Sequence, residues 1–213
     1  MSKFAFQKDA LMPMLSKRGF SGIEETAFVK IMLCIEILIF NLLNNVLYIV
    51  KSLKLKVLKK EHFMAVLQIM KDFENGKEVM KGGEPVMSSE YFGHDSGRYF
   101  DADVVAAVEN HPWSDPGLTR TALAATWGGK APLQFITKDH IKTIVEKYQK
   151  AEKESFKVAR GVSDIMITCV LSNLDALFVS CATSKRKVLT MALLYKTLVK
   201  NSKKFAHMSY VFK

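Results

Sequence analysis

The chain has 213 residues, 49% of them hydrophobic, and a net charge of +10 at pH 7. That length holds one or two domains with a substantial core, and the charge favours a polyanionic partner, a nucleic acid or an anionic membrane surface. The three cysteines, Cys34, Cys169 and Cys181, exclude a disulfide framework, being too few and too scattered inside apolar stretches. They read as reduced core residues of an intracellular protein. Met1 to Gln7 lead into charged residues and not an apolar segment, so no signal peptide is expected.

The charge is unevenly placed. Residues 1–72 carry eleven cations against six acids, residues 73–134 five against nine, and residues 135–213 fifteen against six. Two basic ends therefore flank an acidic middle. Most cations are lysine; the arginines are Arg18, Arg98, Arg120, Arg160 and Arg186.

In chain order, residues 4–17 read as a short amphipathic helix on Phe4, Ala10, Leu11, Met14 and Leu15. Pro13 costs about 3 kcal/mol in a helix interior, so a start or kink is expected there. Gly19 suits a helix C-terminus. Residues 23–52 form the longest helical signal, with Glu24 and Glu25 in its first turn, where the macrodipole favours acids. From Phe28 to Val50 it is apolar almost all round. Such a helix is either buried on most faces or spans a membrane. Glu36, Asn41, Asn44 and Asn45 weigh against the membrane, where an acid near the centre costs roughly 2.5–3.5 kcal/mol.

Lys54, Lys56, Lys59 and Lys60 then alternate with Leu53, Leu55, Val57 and Leu58, a pattern that suits an extended, strand-like loop. Residues 60–73 make a third helix on Phe63, Val66, Leu67, Ile69 and Met70. Residues 74–134 are rich in Gly, Pro and aromatics, including Trp113 and Trp127. They read as an ordered linker that drapes over its neighbours, with a short helix at Asp101 to Glu109. Its tryptophans anchor it to apolar surface or, on the sharper reading, stack on bases.

A second module opens at Thr137, a fair N-cap. Residues 138–153 place Ile141, Ile144, Val145 and Tyr148 on one face, and a long helix runs over 158–183. Ser184-Lys185-Arg186-Lys187-Val188-Leu189-Thr190-Met191 follows, three adjacent cations and then a threonine able to cap a helix on Met191, Leu194, Leu198 and Val199. Taken alone, that cation run also reads as a solvated turn.

The run 185–195 resembles the second loop and third helix of a core histone, most closely the fourth core type. Ser21-Gly22-Ile23-Glu24-Glu25 resembles that histone's first loop and long-helix start. The doubled order of short, long and short helices is similar to a viral histone doublet of the giant-virus kind. The resemblance implies an all-α chain: a first histone fold over 1–73, an acidic linker over 74–134 and a second histone fold over 135–213, joined in an intramolecular handshake. It implies that Lys17 and Arg18 lie beside Lys185, Arg186 and Lys187, and that Lys157 and Arg160 lie beside Lys54, Lys56 and Lys59. With Thr190, these are the implied DNA-binding residues. Arg18, Arg160 and Arg186 are the candidates for minor-groove insertion. Helix N-termini add backbone donors for phosphate.

The implied partners are double-stranded DNA and further copies or other doublets; the implied setting is a virion, viral factory or host nucleus. The chain departs from the family in four respects, one being Pro13 inside the first helix. It lacks a long basic N-terminal tail, so tail-based regulation is not expected. Arginine is scarce. Met191, Ala192, Leu193 and Leu194 supply no acid where the family has one that clamps an arginine.

Nothing in the sequence points to catalysis or a cofactor. Gly128-Gly129-Lys130-Ala131 lacks the spacing and the hydroxyl of a phosphate-binding loop. His94, Asp95 and His111 lack metal-ligand spacing, and no nucleophile elbow is present. His62 and His140, near helix starts, read as surface residues. The alternatives to DNA packaging are a histone-fold protein-interaction or transcription-factor-like module and, third, a single-pass membrane protein.

Overall fold

The first helix, α1 (Lys8–Lys17), buries Ala10, Leu11, Met14 and Leu15, ends at Arg18, and is followed by Gly19 at φ 88°. A two-residue strand, β1 (Gly22–Ile23), leads into the 28-residue helix α2 (Glu25–Ser52). Then come β2 (Val57–Leu58) and α3 (Lys60–Glu74). A small antiparallel pair, β3 (Val79–Lys81) and β4 (Glu84–Val86), follows, and then a short helix α4 (Ala131–Phe135). The remaining elements are α5 (Lys138–Glu152), β5 (Lys157–Val158), α6 (Val162–Ala182), β6 (Val188–Leu189) and α7 (Met191–Lys200). This computed structural model describes residues 6–74, 79–81, 84–86, 127–202, 204, 205 and 208. Over them the protein is all-α, its strands only two or three residues long.

The order α1–β1–α2–β2–α3 recurs as α5–β5–α6–β6–α7. The two runs are joined crosswise. β1 pairs in parallel with β6, Gly22 opposite Val188 and Ile23 opposite Leu189; β2 pairs in parallel with β5, Val57 opposite Lys157 and Leu58 opposite Val158. The loop entering each long helix therefore lies beside the loop leaving the other. Helix α2 packs on α5, α6 and α7, and α6 packs on α1, α2 and α3. Each long helix is clasped by the other run's short helices.

That clasp explains why α2 is apolar nearly all round. Ile31, Cys34, Ile35, Leu38, Ile39, Leu42, Leu43, Val46 and Ile49 are all wholly buried. Each such side chain contributes roughly 1.5–3 kcal/mol, more than any exposed ion pair. Both runs feed one continuous core. The polar residues of α2 also have uses. Glu36 pairs with Lys147, Asn44 accepts from the Tyr148 hydroxyl, and Asn45 donates to the Asn41 carbonyl at 2.8 Å. The three cysteines are unpaired and buried, as expected of core residues. Burial pushes the Cys34 thiol up to about 12 and the Cys181 thiol up to about 11.

Several sequence expectations are corrected. The first helix begins at Lys8, after an extended Gln7, and Pro13 sits inside it without starting or ending it. The second long helix begins at Val162, not 158, because Lys157 and Val158 are drawn into the bridge with β2 and Gly161 turns at φ 87°. The last part of the presumed linker belongs to the packed body. Trp127 is only 2% exposed, and α4 buries Pro132 and Phe135 while lying against α1. Trp127 is therefore an anchor and not a base-stacking platform. Gly128 sits so close that a Cβ there would meet the Pro13 carbonyl oxygen at 2.9 Å. The helix expected at Asp101 to Glu109, together with Trp113, His94, Asp95 and His111, lies outside the described residues.

His62 and His140 are not plain surface residues. His62 is buried, and its Nδ1 accepts the Lys59 backbone N–H at 3.2 Å. His140 Nδ1 accepts the Thr137 backbone N–H at 3.1 Å, while Thr137 Oγ1 accepts the His140 N–H at 3.3 Å. Each imidazole takes the place that Glu or Gln holds in a capping box. The His140 ring also stacks on Phe6, with centroids 4.6 Å apart.

Candidate nucleic-acid interface

Two basic loop pairs flank α2. At its N-terminal end, the segment after α1 meets the segment before α7. Ser21 N–H donates to the Lys187 carbonyl at 2.6 Å, and Glu24 N–H to the Leu189 carbonyl at 3.0 Å. This brings Lys17 and Arg18 to the loop that carries Lys185, Arg186 and Lys187. At the C-terminal end, Lys157 N–H donates to the Lys56 carbonyl at 3.0 Å and Ala159 N–H to the Leu58 carbonyl at 2.9 Å. This brings Lys157 and Arg160 to Lys54, Lys56 and Lys59. At 1.5 Å per residue, the 28-residue helix sets the two pairs about 40 Å apart. That is close to one turn of duplex DNA, about 35 Å.

Lys17, Lys54, Lys56, Lys59, Lys157, Arg160, Lys185, Arg186 and Lys187 are exposed. Among the described residues, the side chains of all but Lys17 lack an acidic partner. Lys54 and Lys185 hold left-handed backbone, at φ 55° and 57°. They occupy matching places just past the two long helices, in Lys54-Leu55-Lys56-Val57-Leu58 and Lys185-Arg186-Lys187-Val188-Leu189. A left-handed non-glycine costs roughly 1–2 kcal/mol, and both turns put a lysine there.

Arg18 and Thr190 have other tasks. The Arg18 guanidinium grips the Asp175 carboxylate of α6 with Nη2 at 2.7 and 2.8 Å and Nε at 3.0 Å, in a partly buried position. It is a clamp between the two runs and is not presented for insertion into a groove. Asp175 thus joins one run's arginine to the other run's long helix. Its sequence signal is weak: it is one of two acids, with Asp164, in the mostly apolar stretch 162–182. Thr190 caps α7, its Oγ1 accepting the Leu193 N–H at 3.2 Å. Glu24 reaches across the β1–β6 bridge and accepts the Met191 N–H at 2.9 Å. These donors at the start of α7 therefore already have acceptors within the protein.

Gly161 lies under the Lys60 side chain, whose Cε would stand 2.4 Å from a Cβ at that position. Among the described residues, no cluster of His, Cys, Asp and Glu is arranged to hold a metal ion. Comparison of the chain with family models, curated proteins and solved structures finds no match.

Proposed function

We propose that the chain is a histone doublet. In this reading residues 1–73 and 135–213 are two histone folds in a handshake, and 74–134 is the connection between them. The protein packages double-stranded DNA by neutralising phosphates without reading sequence. The observation that carries this is the crosswise pairing of the basic loops at both ends of α2. It supports the reading because two exposed cation groups then stand about one DNA turn apart. The DNA-binding residues are Lys17, Lys54, Lys56, Lys59, Lys157, Arg160, Lys185, Arg186 and Lys187, with Arg18 and Thr190 holding the loops in place.

A single pair has too little surface to wrap a full superhelical turn of DNA. Assembly with further copies or another doublet belongs to the proposal, in a virion, viral factory or host nucleus. Helices α2 and α6 are both long and apolar enough to cross a membrane, but 56% and 50% of their most apolar windows are buried in the shared core. That core already accounts for their apolarity.

The test is DNA affinity as a function of salt. Changing Lys185, Arg186 and Lys187 together to Ala is expected to weaken binding and to reduce the slope of log affinity against log salt by about 3. An unchanged affinity and slope would remove these residues from the interface.

A further inference from the structure

The loop 184–187 borders a recess as well as the outer surface. Between the last turn of α6 and the length of α7 lies a pocket of about 440 Å³. Arg186, Lys196 and Lys200 line it, with Ser184, Thr183 and Asn201 among its polar groups, and none of its lining residues is acidic. Among the described residues, no acid pairs with any of the three cations.

The pocket's hydrogen-bonding capacity also favours an anion. Ser184 Oγ accepts the Arg186 backbone N–H at 3.4 Å, which leaves its hydroxyl hydrogen available to donate. Asn201 Nδ2 gives one hydrogen to the Thr197 carbonyl at 2.9 Å and keeps a second. Thr183 is already bonded to the Ser180 carbonyl at 2.9 Å and serves as wall. Ala192 and Leu193 supply apolar lining. Cations near helix C-termini do offset the dipole. That role needs no recess, and Lys196 lies mid-helix.

We propose that this pocket binds a small polyphosphate anion. The volume falls within the range of small-molecule sites, and three cations lining one recess suit a ligand with several negative charges on adjacent phosphates. A straight duplex offers its phosphates on a convex surface and does not enter a recess. Arg186 belongs both to the pocket and to the proposed DNA face. An occupied pocket therefore withdraws one cation from DNA at the β1–β6 end. Only this competition rests on the packaging reading; the anion site stands apart from it.

The experiment titrates the full chain with inorganic tripolyphosphate at about 0.1 M salt, where exposed charges further apart than roughly 10 Å are screened. The wild type, Lys196→Gln/Lys200→Gln and Lys150→Gln/Lys153→Gln are compared, the last pair removing equal exposed charge outside both the pocket and the proposed DNA face. Saturable one-to-one binding is expected, weakened at least about tenfold by the pocket variant and less than about twofold by the other. Tripolyphosphate is expected to shield Lys196 and Lys200 from acetylation in the wild type. Unsaturable binding, or equal weakening in both variants, would overturn the site. The same proteins are then titrated with duplex DNA. If the pocket variant loses DNA affinity as steeply as tripolyphosphate affinity, the lysines lie on the DNA path and the separate site is overturned. If tripolyphosphate binds as expected and DNA does not bind, the packaging reading fails and the pocket stands.

Discussion

The two loop pairs share one geometry and differ in what their side chains do. At the β1–β6 end, the first run contributes mostly holding groups. Arg18 grips Asp175, and Glu24 caps α7. The exposed charge there comes chiefly from Lys185, Arg186 and Lys187 of the second run. At the β2–β5 end both runs contribute exposed cations, Lys54, Lys56 and Lys59 from one and Lys157 and Arg160 from the other. The helix start at that end is closed by the His62 imidazole, not a carboxylate. One end is thus held by a partly buried arginine clamp and draws its exposed charge chiefly from the second run; the other draws exposed cations from both runs and has a helix start closed by a titratable ring.

The largest effect that would break this contrast comes from Asp175→Ala. It leaves the Arg18 guanidinium partly buried without its acid, and a loss of about 2 kcal/mol in unfolding free energy is expected. Urea denaturation measures it. A loss below about 0.5 kcal/mol would mean the clamp does not hold that end. Lys51–Glu154 and Lys147–Glu36 also link the two runs, but each has an exposed lysine. Removing either is expected to cost under about 1 kcal/mol.

A smaller effect tests two of the three left-handed lysines, Lys54 and Lys185. Lys54→Gly and Lys185→Gly each relieve backbone strain and are expected to raise stability by up to about 1 kcal/mol, net of added chain freedom. Each removes one cation, so DNA affinity is expected to fall while the melting temperature rises. The two ends should respond alike in stability. A fall in both quantities would contradict the strain argument.

The smallest expected effect is a pH dependence at the β2–β5 end. Burial lowers the His62 pKa; neighbouring Glu61 opposes this and Lys59 adds to it. The folded protein therefore holds His62 neutral at pH values where the unfolded chain protonates it. The stability contribution is complete above the unfolded value of about 6.5 and is lost as pH falls below it towards the lowered folded value. His62→Gln keeps an acceptor for the Lys59 N–H without titrating, and is expected to flatten the unfolding profile between about pH 7 and 5. An unchanged profile would place the pH dependence elsewhere.

The helices were legible in the sequence because both long ones are continuous apolar runs bounded by charge. The doubled layout was legible because the cation loops repeat. The bridges themselves are two residues long, too short to carry a period. The cost was the start of α6, read four residues early through Lys157 and Val158. Partnerships across the chain were hidden for a different reason. Arg18 and Asp175 stand 157 residues apart, and an arginine beside a basic loop reads the same whether it faces phosphate or a carboxylate. The two histidine caps were missed because capping boxes are sought through Glu and Gln. The aromatic content of the linker did signal packing, and Trp127 is where that signal meets the described structure.

The most direct measurement is nuclease digestion of long DNA reconstituted with this protein, alone and with candidate partner histones. Two cation groups about one DNA turn apart predict a ladder of discrete protected lengths, reduced when Lys185, Arg186 and Lys187 are changed to Ala. A smear at low salt, or protection indifferent to those changes, would contradict DNA packaging by this surface.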